Sequence, residues 1–162
     1  MSLHSTFDAR WSEAGLPDPD VRPELYAGTL WRRAAAYLID AVCIGAIAVA
    51  AWILFALLTV VSFGLLAPGL WFLFGLIPLA YHTFLVSGRH AATFGMRAFG
   101  LRLSSWDGAR PVFLQALAHV AVFYVTVGAT GSLILLFALF NRRHRTLHDL
   151  LTGMVMLRSP AA

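Results

Sequence analysis

The chain of 162 residues is 59% hydrophobic and only 12% charged, with a formal net charge of +4. A soluble domain carries about 25% charged residues, and a single domain of this length cannot hide so much apolar surface, so a water-soluble fold is excluded and an integral membrane protein indicated. The cations are all arginine and flank apolar runs instead of covering a polar face, which speaks against nucleic acid and for membrane orientation and anionic headgroups.

Residues 1–27 read as a flexible polar tail. Five acids (Asp8, Glu13, Asp18, Asp20, Glu24), two arginines and the prolines at 17, 19 and 23 leave no core. This is unlike a secretory signal, which pairs a charged start with an apolar centre. The first hydrophobic segment is therefore expected to serve as both insertion signal and anchor.

Residues 29–63 form the first helix. From Ala41 to Gly88 there is no Asp, Glu, Lys or Arg, and about 20 apolar residues suffice to cross a bilayer core. The helix starts in the headgroup layer with "WRRAAAYLID" and passes through. "APG" at 67–69 reads as a breaker with a tight turn. Residues 70–87 make a second span, kinked at Pro78, with Trp71 and Tyr81–His82 toward its ends.

Residues 88–112 alternate Arg89, Arg97, Arg102 and Arg110 with glycines and apolar residues. They read as a loop on the membrane surface, with a short interfacial helix near Thr93–Phe99 and a strand-like "GLRLS". Residues 113–140 are a third apolar run, interrupted by "GATG" at 128–131. The basic collar "NRRHRTLHDLL" follows, then "MVML", a second strand-like piece. Arginine-rich short loops stay cytoplasmic. Two full spans put Arg32–Arg33 and Arg89–Arg110 on one side, and a third run that folds back at "GATG" adds Arg142–Arg145 to it. A single kinked crossing is the alternative.

Two acids stand out. Asp40 lies at the threshold of the lipid-facing run, and Asp149 lies inside the collar. Acids within membrane segments are candidate ion or proton ligands. The bland alternative is an Asp neutralised by an arginine or capping a neighbouring helix. Arg33 shares a helix face with Asp40 but sits about 10 Å away along the axis, so a donor from another segment is expected, with Arg97 one option. His82 and His119 are candidate proton relays or plain hydrogen-bonded histidines, Gln115 being a ready partner for His119. His144 and His148 are spaced for one helix face, but "HRTLH" lacks the Glu of the zinc-protease motif. No metal or cofactor is expected. No nucleophile constellation or phosphate loop occurs, so no enzyme is expected.

"RRAAAYLID" (32–40), "HAATFGMRAFGLRLSSWDGARP" (90–111) and "RRHRTLHDLLTGMVML" (142–157) together resemble the RDD family of bacterial membrane proteins. The family's arginine and two aspartates fall on Arg33, Asp40 and Asp149. Met96 stands where the family often has lysine, which leaves Arg97 as the cation there. The resemblance covers 28–158 and implies a small all-α multi-pass bundle with the three motif regions adjacent in space. It also implies a membrane role for which transport, including cation/proton antiport, has been proposed.

The expected architecture is two full spans plus a broken or re-entrant third segment, with "GLRLS" and "MVML" as a candidate cytoplasmic β-ribbon. The expected site is one polar cluster of Arg33, Asp40 and Asp149, with Arg33 paired to Asp149 and support from Arg97, His148 and His82. Two functions fit. One is a transporter for cation/proton exchange or a small solute, in which Asp40 alternates between proton and cation. The other is a non-catalytic scaffold or accessory subunit whose Arg/Asp cluster is structural. Either would sit multi-pass in a bacterial inner membrane with a cytoplasmic N-terminus. Its partners would be the lipid bilayer and a second copy or other membrane proteins.

Overall fold

The structure, a computed structural model, describes residues 15–16, 19–130 and 146–159. After a 3-10 turn at Pro23–Leu25, helix α1 runs Thr29–Val61. Its length of about 50 Å exceeds the roughly 30 Å hydrocarbon core, so its uncharged part is by itself long enough to cross a membrane. None of its most apolar stretch is buried inside the protein.

The chain reverses over Ser62–Leu66, where Phe63 (φ 51) and Gly64 (φ 86) take left-handed backbone. The "APG" expectation is corrected here: it begins helix α2 (Ala67–Gly75), with Pro68 in the first turn. Proline is tolerated there because its missing N–H has no intrahelical partner anyway. Helix α3 (Ile77–Ser87) follows with Pro78 again in the first turn. The two helices meet at 44°, so the apolar segment bends just before the expected proline.

Residues 88–112 lie only partly on the surface: Arg89, Arg97, Trp106 and Arg110 are exposed. Ala91, Ala92, Thr93, Leu101, Leu103, Ser104 and Ser105 are buried. Helix α4 (Phe94–Ala98) packs against α1, and β1 (Leu101–Ser105) pairs antiparallel with β2 (Met154–Arg158), Leu103 opposite Met156. Both faces of β2 are covered. Met154 and Met156 join Leu101, Leu103, Ala36, Val86 and Ala116, while Val155 and Leu157 pack on Leu25 and Tyr26.

Helix α5 (Phe113–Thr130) packs on α3. It is helical through Thr130, the third residue of "GATG". Thr126 and Thr130 return their hydroxyls to Val122 O and Thr126 O at 2.7 Å, and one glycine costs a packed helix only about 1 kcal/mol. Gly131, the rest of the third run and Arg142–Arg145 lie outside the described residues. Helix α6 (Leu147–Leu151) returns the chain to the ribbon. Among the described residues, two helices are long and apolar enough to cross a membrane, or three spans counting the bent pair as one.

Candidate functional site

Asp40 sits three turns into α1, 2% exposed. Its carboxylate accepts hydrogen bonds from Tyr81 Oη at 2.7 Å, Thr93 Oγ1 at 2.6 Å and the Gly95 N–H at 2.9 Å. Tyr81 comes from α3, and Thr93 and Gly95 from the start of α4, so one anion ties three helices together. The donors are all neutral. Arg97 is not among them, and its guanidinium lies over the Phe94 ring. A neutral donor set stabilises a buried carboxylate without burying a second charge.

Glycine is required at 95. A Cβ there would stand 2.1 Å from Ala36 O and 2.9 Å from Asp40 Cγ, so α4 could not approach α1 closely enough for its N–H to reach the carboxylate.

Asp149 is fully buried and built differently. Arg33 Nη1 donates to Asp149 Oδ2 at 2.6 Å, and the Thr146 N–H donates to the same oxygen at 3.0 Å. Arg33 reaches from the first turns of α1, so this pair ties the beginning of the domain to its end. Burial opposes ionisation of Asp149, but Arg33, His119 and His148 outweigh it and hold the carboxyl at about 2, below its ordinary 3.8. Burial also pushes His148 below its ordinary 6.5, with Asp149 acting in the opposite sense. The Nε and Nη2 atoms of Arg33 and Nδ1 of His148 are buried without a hydrogen-bond partner among the described residues.

Two histidines stand beside Asp149. His119 Nε2 lies 3.7 Å and His148 Nε2 3.6 Å from Asp149 Oδ1. His119 comes from α5, and its partner is Thr152 Oγ1 at 2.9 Å. Gln115 is occupied with the Val112 N–H. His144, expected to share a helix face with His148, lies outside the described residues; Thr146 has extended backbone (φ −80, ψ 170) and α6 starts at Leu147. His82 Nδ1 lies 3.0 Å from Pro78 O and 3.1 Å from Tyr124 Oη. A carbonyl only accepts, so that nitrogen carries the proton.

Arg33, Asp40 and Asp149 thus do not form one network. They form two polar knots around a shared cavity of about 420 Å³, whose wall also includes His82, His119 and His148. Sequence reasoning missed Tyr81, Thr93 and Gly95 as the holders of Asp40 and missed His119 beside Asp149. Thr93 and Gly95 do fall within the quoted "HAATFGM" motif, and the absence of a side chain at 95 was their one visible signal.

A charged and histidine-bearing cavity between apolar, membrane-length helices, closed at one end by a short ribbon, defines a small polytopic membrane protein. The RDD family model matches residues 27–153, and the chain belongs to the RDD family. No curated protein and no solved structure gives a significant match.

Proposed function

We propose that this RDD family protein is a transporter that moves a cation or small solute in exchange for protons through the cavity between α1, α3 and α5. The observation that carries this reading is the cavity itself. At about 420 Å³ it falls within the size range of small-molecule sites, and ionisable groups in membrane domains mark ion and solute paths. The reading places exchange on the Asp149 side, where Arg33, His119 and His148 offer charge and proton-binding nitrogens. It assigns Asp40 a holding role, because both its oxygens already accept strong donors. No enzymatic step is involved. The protein sits multi-pass in a bacterial inner membrane with its N-terminus in the cytoplasm, and the exposed apolar face of α1 rests on lipid or on a second copy.

The test is flux. Purified protein reconstituted into liposomes with an internal pH-sensitive dye should acidify or alkalinise the lumen when a sodium or potassium gradient is imposed. Folded wild-type protein that passes no protons under any such gradient, and no solute, overturns the transport reading.

A second reading, a scaffold or accessory subunit, is favoured by the same Asp40 geometry. A carboxylate that joins three helices through neutral donors is what a purely structural motif requires. Absence of flux from folded wild-type protein, with co-purification of a defined membrane partner, would select it.

A further inference from the structure

We propose that His119, His148 and Asp149 form a binding site for a divalent first-row transition metal ion such as zinc. This goes beyond the transport reading and stands without it, because it concerns equilibrium binding.

The geometry starts from ligand atoms. One from each of the three buried side chains lies within 4.8 Å of the others. Asp149 Oδ1 is 3.7 Å from His119 Nε2 and 3.6 Å from His148 Nε2. Ligands at about 2.0–2.1 Å around a tetrahedral zinc stand about 3.4 Å apart, so these two separations match with a small adjustment. They are also too long for hydrogen bonds.

Protonation of His119 is fixed by its neighbours. Thr152 Oγ1 donates its hydrogen to His148 O at 2.7 Å and must therefore accept from His119 Nδ1 at 2.9 Å. Neutral His119 then carries its proton on Nδ1 and presents a lone pair on Nε2 toward a carboxylate oxygen. These two ligand atoms face each other across about one ion's width, at 3.7 Å.

The outer shell is present for His119 and Asp149, while His148 Nδ1 has no partner among the described residues. Metal-bound histidines donate their other N–H to a fixed acceptor, and ligating carboxylates are themselves hydrogen-bonded. Thr152 does the first for His119, and Arg33 Nη1 and the Thr146 N–H do the second through Asp149 Oδ2. Thr146 Oγ1 touches His148 Nε2 at 2.9 Å, so an ion at that nitrogen displaces this hydrogen bond. Phe123 packs edge-on against the His148 ring and supplies an apolar flank. Two neutral imidazoles and one carboxylate select zinc, cobalt, nickel or copper over magnesium or calcium. The cavity leaves room for a water as fourth ligand.

The experiment uses the full chain in detergent, purified without a histidine tag. Zinc is titrated calorimetrically, and cobalt is followed by its visible spectrum. The expected result is one site per chain at micromolar affinity or tighter, with zinc displacing cobalt and excess magnesium without effect. His119→Gln and His148→Gln should each weaken binding by at least about 100-fold, and Thr152→Val by about tenfold. His90→Ala should leave it unchanged. Absence of a one-to-one site overturns the proposal, as does binding that both glutamine variants retain or that His90→Ala abolishes. If the glutamine variants do not fold, copper-loaded wild type decides by electron paramagnetic resonance. Two coordinating nitrogens support the site, and any other number overturns it.

Discussion

The two buried aspartates solve the same physical problem in opposite ways. Asp40 is surrounded by neutral donors from α3 and α4, whereas Asp149 is held by a guanidinium with two imidazoles alongside. The first arrangement meets the carboxylate with neutral hydroxyl and amide donors and acts as a fastener. The second gathers three titratable neighbours around one carboxylate and can change its charge or ligation. A membrane domain can thus separate holding from exchange by choosing between neutral and charged partners.

The contrast can be broken most strongly at Arg33. Arg33→Ala strands Asp149 as an uncompensated buried anion, at a cost of about 3–5 kcal/mol. Thermal unfolding in detergent should show the largest loss of any variant considered, and Asp149→Asn in the same chain should restore part of it. Full additivity of the two substitutions would remove the pair from the account.

Gly95→Ala comes next, at about 3 kcal/mol, since the new methyl meets backbone 2.1 Å away. It should reduce the yield of folded protein more than removal of the Asp40 charge does. Asp40→Asn, which keeps the shape but offers an amide to donor groups, should cost about 2 kcal/mol, and Tyr81→Phe about 1 kcal/mol.

Acid sharpens the difference between the two sites. The depressed carboxyl of Asp149, at about 2, contributes stability that is present above the ordinary carboxylate range and lost as pH falls through that value, about 2 kcal/mol in all. His148, held below 6.5 by burial, adds an earlier loss: its neutral form is the folded one, so stability declines once pH drops below 6.5. Melting temperatures should fall in two stages between neutral pH and about 2, and Arg33→Ala should blunt the second. The smallest effect belongs to Gly45→Ala in the lipid-facing part of α1. A methyl there meets nothing within 4 Å, so stability should change by less than about 1 kcal/mol, toward a firmer helix.

The sequence made the crossing helices legible because their signal is local: an uncharged run of bilayer length, and a proline at the bend. The opposite sides of the ribbon were legible as short alternating pieces. The site was only half so. The Arg33–Asp149 contact spans most of the chain, and only the family resemblance brought the two together. Tyr81 and Thr93 could not be linked to Asp40, because a hydroxyl in an apolar segment has many equivalent roles until packing chooses one. His119 read as a lone histidine with Gln115 nearby, since it shares no spacing motif with His148. "APG" was misplaced because proline marks both turns and helix starts, and the left-handed Phe63 that makes the actual reversal carries no compositional mark.

The central claim is that Asp40 holds the bundle while the cavity beside Asp149 carries the exchange. Cation-driven proton flux, normalised to folded protein in liposomes, tests it with two variants, Asp40→Asn and Ala34→Phe. Ala34 lines the cavity without bearing charge. The account predicts wild-type flux per folded molecule in Asp40→Asn, and loss of most of the flux in Ala34→Phe with its melting temperature intact. Flux abolished in folded Asp40→Asn and preserved in Ala34→Phe would contradict it.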